Sequence, residues 1–139
     1  MSVQARCAIP PGMRLASCIA VIVFAAASPA FATGTILCRS TASPGAGPEL
    51  ALVVGHGEAI GVVQARVTGL GSPFVTGQGA GAPAIGQAWL DRDTLRLDIV
   101  DANAERRILR LDTRRRGSDY LGNLYQDGRT WRMRCSEAG

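Results

Sequence analysis

At 139 residues the chain has room for one domain. Its 15 basic residues are all arginines and face 11 acids, for a net charge of +4. Arg6 and Arg14 fall in the first 32 residues, which hold no acid, so the rest carries 13 (15 − 2) arginines against 11 acids. A net +2 is far less lopsided than nucleic-acid-binding domains show, which argues against nucleic acid as the partner.

The N-terminal stretch MRLASCIAVIVFAAASPAFA runs from Met13 to Ala32. Arg14 supplies a positive start, an uncharged apolar run follows, and Pro29 precedes the small-residue triplet Ala30-Phe31-Ala32. Signal peptidase takes small side chains at the two alanine positions, so residues 1–32 read as a signal peptide cut after Ala32, with Met1 or Met13 as the start. Two rival readings fit less well. LASC, ending at Cys18, has the form of a lipoprotein box, but the apolar region follows the cysteine instead of preceding it. An uncleaved anchor would use the 18 uncharged residues Leu15–Ala32, just enough to span a bilayer; Pro29 and the cleavage triplet favour cutting. The expectation is a periplasmic or secreted bacterial protein whose domain is residues 33–139, with no membrane span once the leader is removed. Its arginine-only, alanine- and glycine-rich usage fits a high-GC genome.

Beyond residue 32 two cysteines remain, Cys38 and Cys135. In an oxidising compartment they are expected to form one disulfide. In the chain-entropy model a loop that long stabilises by roughly 4–5 kcal/mol.

The remaining chain reads as β throughout, because short apolar stretches alternate with Gly, Pro, Asp and Asn and no helical period persists. Strands are expected at Thr35–Ser40, Glu49–Val54, Ala59–Thr68, Ile85–Leu90, Leu95–Val100, Arg106–Asp112, Tyr120–Gln126 and Arg129–Cys135, with a short extended piece at Phe74–Thr76. The fold class is all-β: an antiparallel meander of about eight strands, closed or nearly closed as a barrel, with a sandwich as the alternative. Glycine-rich loops mark the first half, and arginines and acids crowd the second. GQGAGAP lacks the lysine and following helix of a phosphate loop and reads as a flexible connection.

Asp127-Gly128 suits a two-residue type I′ turn. Centred there, the last hairpin pairs Gln126 with Arg129, Leu124 with Trp131, Gly122 with Met133 and Tyr120 with Cys135. Alternation then puts Tyr120, Leu124, Trp131, Met133 and Cys135 on one face, and Leu121, Asn123, Tyr125, Thr130, Arg132 and Arg134 on the other. Arg96, Asp98, Arg110 and Asp112 share that outer face and are expected to interleave across strands.

Few residues suggest chemistry. His56, with Glu58 two residues on, has the makings of a base and its orienting carboxylate, but flanking glycines make it a hairpin-tip histidine. Asp91 and Asp93 fit a turn better than a cation site. No nucleophile motif, metal set or cofactor motif is present, and no cofactor is expected. The triplet Arg114, Arg115 and Arg116, read as a loop before the last hairpin, is the main positive feature. With Arg132, Arg134 and Tyr125 it forms a candidate surface for phosphate, sulfate or carboxylate groups.

Two cysteines bracketing a small exported β-barrel resemble in layout the periplasmic C-type lysozyme inhibitors, whose first and last strands are tied in this way. Their central Ser-Gly-x-x-Tyr stretch is absent, and GSDY at Gly117–Tyr120 departs from it, so no functional residue carries over. The functional expectation is a monomeric, non-enzymatic binding or inhibitor module. Its partner would be an envelope protein, a glycan or an anionic lipid component such as lipopolysaccharide. The alternatives are a carrier holding a small apolar ligand among Leu95, Leu97, Leu124 and Trp131, and a hydrolytic enzyme of unrecognised type.

Overall fold

The computed structural model describes residues 33–42, 45–56 and 60–138. The proposed signal peptide, Cys18 and Glu58 lie outside the described residues. Nine strands follow one another: β1 (Gly34–Ser40), β2 (Glu49–His56), β3 (Ile60–Thr68), β4 (Phe74–Val75), β5 (Ala84–Leu90), β6 (Thr94–Val100), β7 (Arg107–Arg116), β8 (Asp119–Gln126) and β9 (Arg129–Ala138). All join one antiparallel sheet in the order β4-β3-β2-β1-β9-β8-β7-β6-β5, curled into a half-barrel. A single sheet leaves no second layer for a sandwich.

Period-2 alternation explains the curl. Ile36 and Cys38, Leu50 and Leu52, Leu95, Leu97 and Ile99, Leu109 and Leu111, and Leu124, Met133 and Cys135 all turn inward and are buried. A sheet with one apolar face removes it from water by bending around it. Register slips help: Val53 faces Gln64 while Val54 faces Val62, which leaves Val63 as an extra residue, and further slips occur in β5–β6 and β6–β7. Such bulges increase local twist. The two ends of the sheet meet where β3 packs against β5. Thr76 joins them. Its amide donates to the Ala65 carbonyl at 2.9 Å and its hydroxyl accepts from the Ala65 amide at 2.9 Å, while the Gly77 amide donates to the Pro83 carbonyl at 2.9 Å.

β1 and β9 are neighbours, and Cys38 stands directly opposite Cys135. The two form a disulfide across 97 positions, and both are fully buried. The last hairpin has the expected register, from Gln126–Arg129 to Tyr120–Cys135. Asp127 and Gly128 have φ of 45° and 76°, as a type I′ turn requires.

Gly122 has a different reason from the one its sequence neighbours suggest. Opposite Met133 it looks like room for a large side chain. In fact a Cβ there would lie 2.6 Å from the Thr113 Cα and closer still to the Asp112 carbonyl oxygen on β7. Thr113, buried beside it, donates its hydroxyl to the Leu95 carbonyl at 2.8 Å. The glycine lets β7 and β8 approach at this point.

The arginine triplet is the main correction. Residues 114–116 are not a loop. They complete β7, where Arg114 faces Leu121, Arg115 faces Tyr120 and Arg116 faces Asp119. Only Gly117 and Ser118 remain for the turn, with Gly117 at φ 66°.

Candidate functional site

Because residues 114–116 are a strand, they alternate. Arg114 and Arg116 point outward; Arg115 points to the inner side, at the barrel mouth. The six candidate residues therefore divide between two places.

On the outer face, Arg114 of β7, Leu121 of β8 and Arg134 of β9 stand side by side in register, and Arg39 of β1 continues the row. Neighbouring strands lie about 4.8 Å apart, so these side chains share one surface. Leu121 is exposed at 41%, and so is Tyr125. Asn123 faces Arg132 across the β8–β9 ladder and donates its amide to the Tyr125 hydroxyl at 3.2 Å. Asn123 and Arg132 form the next outward rung, and Tyr125 lies on the one beyond it.

Ion pairing sorts the arginines. Arg110 grips Asp98 through two hydrogen bonds of 2.8 Å, and Arg107 lies 3.8 Å from the same carboxylate. Hydrogen bonding from Arg110 is the main cause that holds the Asp98 carboxyl below its usual range; burial works against it. Arg96 pairs with Asp112, Arg39 with Glu49, and Arg134 with Asp119 at 2.6 Å. The expected interleaving of opposite charges is therefore present. Asp112 and Asp119, which flank the triplet in sequence, are engaged by Arg96 and Arg134. Among the described residues, Arg114, Arg116 and Arg132 have no carboxylate within 4.0 Å. On the outer face of β7–β9 these three are the cations left for a partner.

The second place is a cavity of about 380 Å³ at the end of the barrel. Ile36, Val54 and Ile60 from β1–β3, Leu90 before the β5–β6 turn, and Tyr120 of β8 form its apolar wall. His56, Asp91, Arg92, Arg115 and Glu137 add polar groups. The Arg115 guanidinium lies 5.5 Å from the centroid of the Tyr120 ring, and its Nε donates to the Gly117 carbonyl at 3.1 Å. Tyr120 is buried and donates its hydroxyl to the Asp91 carbonyl at 2.8 Å.

Asp91 is occupied by the turn, as its sequence suggested. Its carboxylate accepts from Trp89 Nε1 at 2.7 Å and from the amides of Asp93 and Thr94 at 2.8 and 2.6 Å. These bonds, the one from Trp89 foremost, hold its carboxyl below the usual range. His56 pairs with Ile60 at the end of the β2–β3 hairpin, as its sequence suggested, and its ring lies near Gly34 at the cavity. Among the described residues no three His, Cys, Asp or Glu side chains gather as a metal site.

Leu95, Leu97 and Leu124, named above as lining a ligand space, are fully buried in the core cluster, and Trp131 packs against it. The cavity at the mouth is lined by none of these four residues. Compared with protein-family models, curated proteins and solved structures, the chain has no significant match.

Proposed function

We propose that this chain is an exported, non-enzymatic binding module that holds an anionic partner through the outer face of β7, β8 and β9. The row Arg114–Leu121–Arg134 is the observation that carries the reading, with Arg116 and Arg132 beside it. Three of these four arginines have no acid of their own, and a planar guanidinium can meet a phosphate, sulfate or carboxylate with two parallel hydrogen bonds. Arg114 and Arg134 stand two strand spacings, roughly 10 Å, apart, comparable to the Debye length of about 8 Å at physiological salt, so their joint action on one partner weakens as salt rises. Leu121 and Tyr125 add apolar surface that a partner would cover, worth roughly 25 cal/mol per Å². The disulfide favours an oxidising compartment, where lipid head groups, lipopolysaccharide, glycans and acidic proteins supply such anions.

The test is binding of the wild-type protein and of the double variant Arg114→Glu/Arg132→Glu to vesicles containing phosphatidylglycerol, to lipopolysaccharide and to a sulfated glycan. The reading requires salt-sensitive binding to at least one of them, lost in the double variant. Binding to none, or equal binding by the variant, overturns it.

A further inference from the structure

We propose that the barrel mouth is a binding site for a small amphipathic anion, its apolar body against Ile36, Val54, Ile60 and Leu90 and its acid group on Arg115. This site is separate from the outer face and does not rest on the reading given for it.

The geometry supplies both halves of such a site. The cavity, about 380 Å³, falls within the range of roughly 300–1,000 Å³ typical of small-molecule sites. Ile36, Val54 and Tyr120 are buried and form its inner end. Ile60 is 57% exposed, which leaves a large apolar side chain at the rim where a ligand would cover it. Such a wall removes an alkyl chain or a ring from water.

Arg115 is exposed at the rim of the site but is held in place there. Its place opposite Tyr120 in the β7–β8 ladder fixes the backbone, the ring supports the guanidinium and the Gly117 carbonyl takes Nε–H. The Nη groups are left for a ligand, and an arginine held on an aromatic face loses little freedom on binding. Tyr120 is itself fixed through its hydroxyl on Asp91.

Two arginines and two carboxylates balance in the lining, so the placement of the groups decides the sign of the ligand. Arg92 is a second cation in the lining. Of the two carboxylates there, Asp91 keeps its negative charge but has its lone pairs taken by Trp89 and the turn amides, so it does not draw Arg115 away from a ligand. Glu137 opposes an anion and His56 is the remaining titratable group. A cationic or neutral apolar molecule would leave Arg115 covered without a partner, at a cost of several-fold in affinity. The occupant is therefore an acid with a short alkyl or aromatic body: a carboxylate, sulfonate or phosphate monoester.

Calorimetric titration with decanoate, kept below its micelle concentration, tests this, with decanol and decyltrimethylammonium as neutral and cationic counterparts. One-site binding of decanoate is expected, with decanol weaker and the cation weakest. Arg115→Gln should weaken decanoate by about tenfold or more while leaving decanol unchanged, and Glu137→Gln should tighten decanoate. Ile60→Asp, at the exposed rim, should weaken both decanoate and decanol. Arg114→Glu/Arg132→Glu should bind decanoate like the wild type, which separates this site from the outer face. No decanoate binding, or equal affinity in the wild type and Arg115→Gln with unchanged melting temperatures, overturns the proposal.

Discussion

Arg114 and Arg115 are adjacent in the chain and stand on opposite sides of the sheet. Arg114 flanks Leu121 on the outer surface, and Arg115 lies over the Tyr120 ring at the mouth of the barrel. The two cations have separate surroundings, so charge reversal at one is not equivalent to charge reversal at the other. Arg114→Glu is expected to lower affinity for an anionic surface by about fivefold or more, since each interfacial cation contributes roughly 1 kcal/mol. Arg115→Glu should change it by less than about twofold, because the residue faces inward. Sedimentation with phosphatidylglycerol vesicles at low and physiological salt measures both.

The Cys38–Cys135 bridge joins the first and last strands of the described sheet, so it closes the longest loop in the fold. Replacing both cysteines with serine is expected to cost about 2–5 kcal/mol, most of it through the freed unfolded chain. Urea unfolding reads it directly. The midpoint should fall, and reduction of the wild-type protein should lower it similarly.

Asp98 makes stability depend on acid. Its side chain is only 15% exposed, and its carboxyl is held below the ordinary range by hydrogen bonds from Arg110. A depressed folded-state pKa contributes stability that is complete above the unfolded value, near 3.9, and that is lost as pH falls through the folded one. Asp98→Asn should therefore lose about 1 kcal/mol at neutral pH. It should also lose less than the wild type on acidification below about pH 4. Urea midpoints at pH 7 and pH 3 give the comparison.

Gly122→Ala is expected to destabilise by about 1–3 kcal/mol or more, because the new methyl group meets backbone atoms of Asp112 and Thr113 and not a side chain that can turn away. Thermal unfolding checks this. A variant as stable as the wild type would mean that β7 and β8 have slack at this point.

Much of the fold is legible in the chain. Strand alternation selects the core, and Asp127-Gly128 fixes the register of β8 against β9, from which the inward Tyr120 and Cys135 and the outward Arg132 and Arg134 follow. The triplet is the exception. A run of three arginines looks like solvated loop, which would end the strand at Asp112. The ladder instead continues to Arg116, because Gly117-Ser118 is enough to turn the chain and Asp119, Tyr120 and Leu121 supply partners. That glycine was the available signal, since a two-residue turn at 117–118 implies strand on both sides of it.

The mouth cavity carried no comparable signal. It gathers the ends of β1, β2, β3, β5, β7, β8 and β9 with the β5–β6 turn, residues from 34 to 138. Only closure of the sheet brings them together. Which arginines lack an acid partner was likewise unreadable, because it depends on diagonal contacts such as Arg134 with Asp119, and not on sequence neighbours.

The central claim is that the outer face of β7–β9 is where this protein holds an anionic partner. The most direct measurement is nuclear magnetic resonance of the uniformly ¹⁵N-labelled domain titrated with a short sulfated oligosaccharide at physiological salt. The account predicts amide shifts concentrated at outward positions of β7–β9, around Arg114, Arg116, Leu121, Asn123, Arg132 and Arg134, with little change in β2 and β3. Shifts spread evenly over the surface, or gathered on another face, would contradict it.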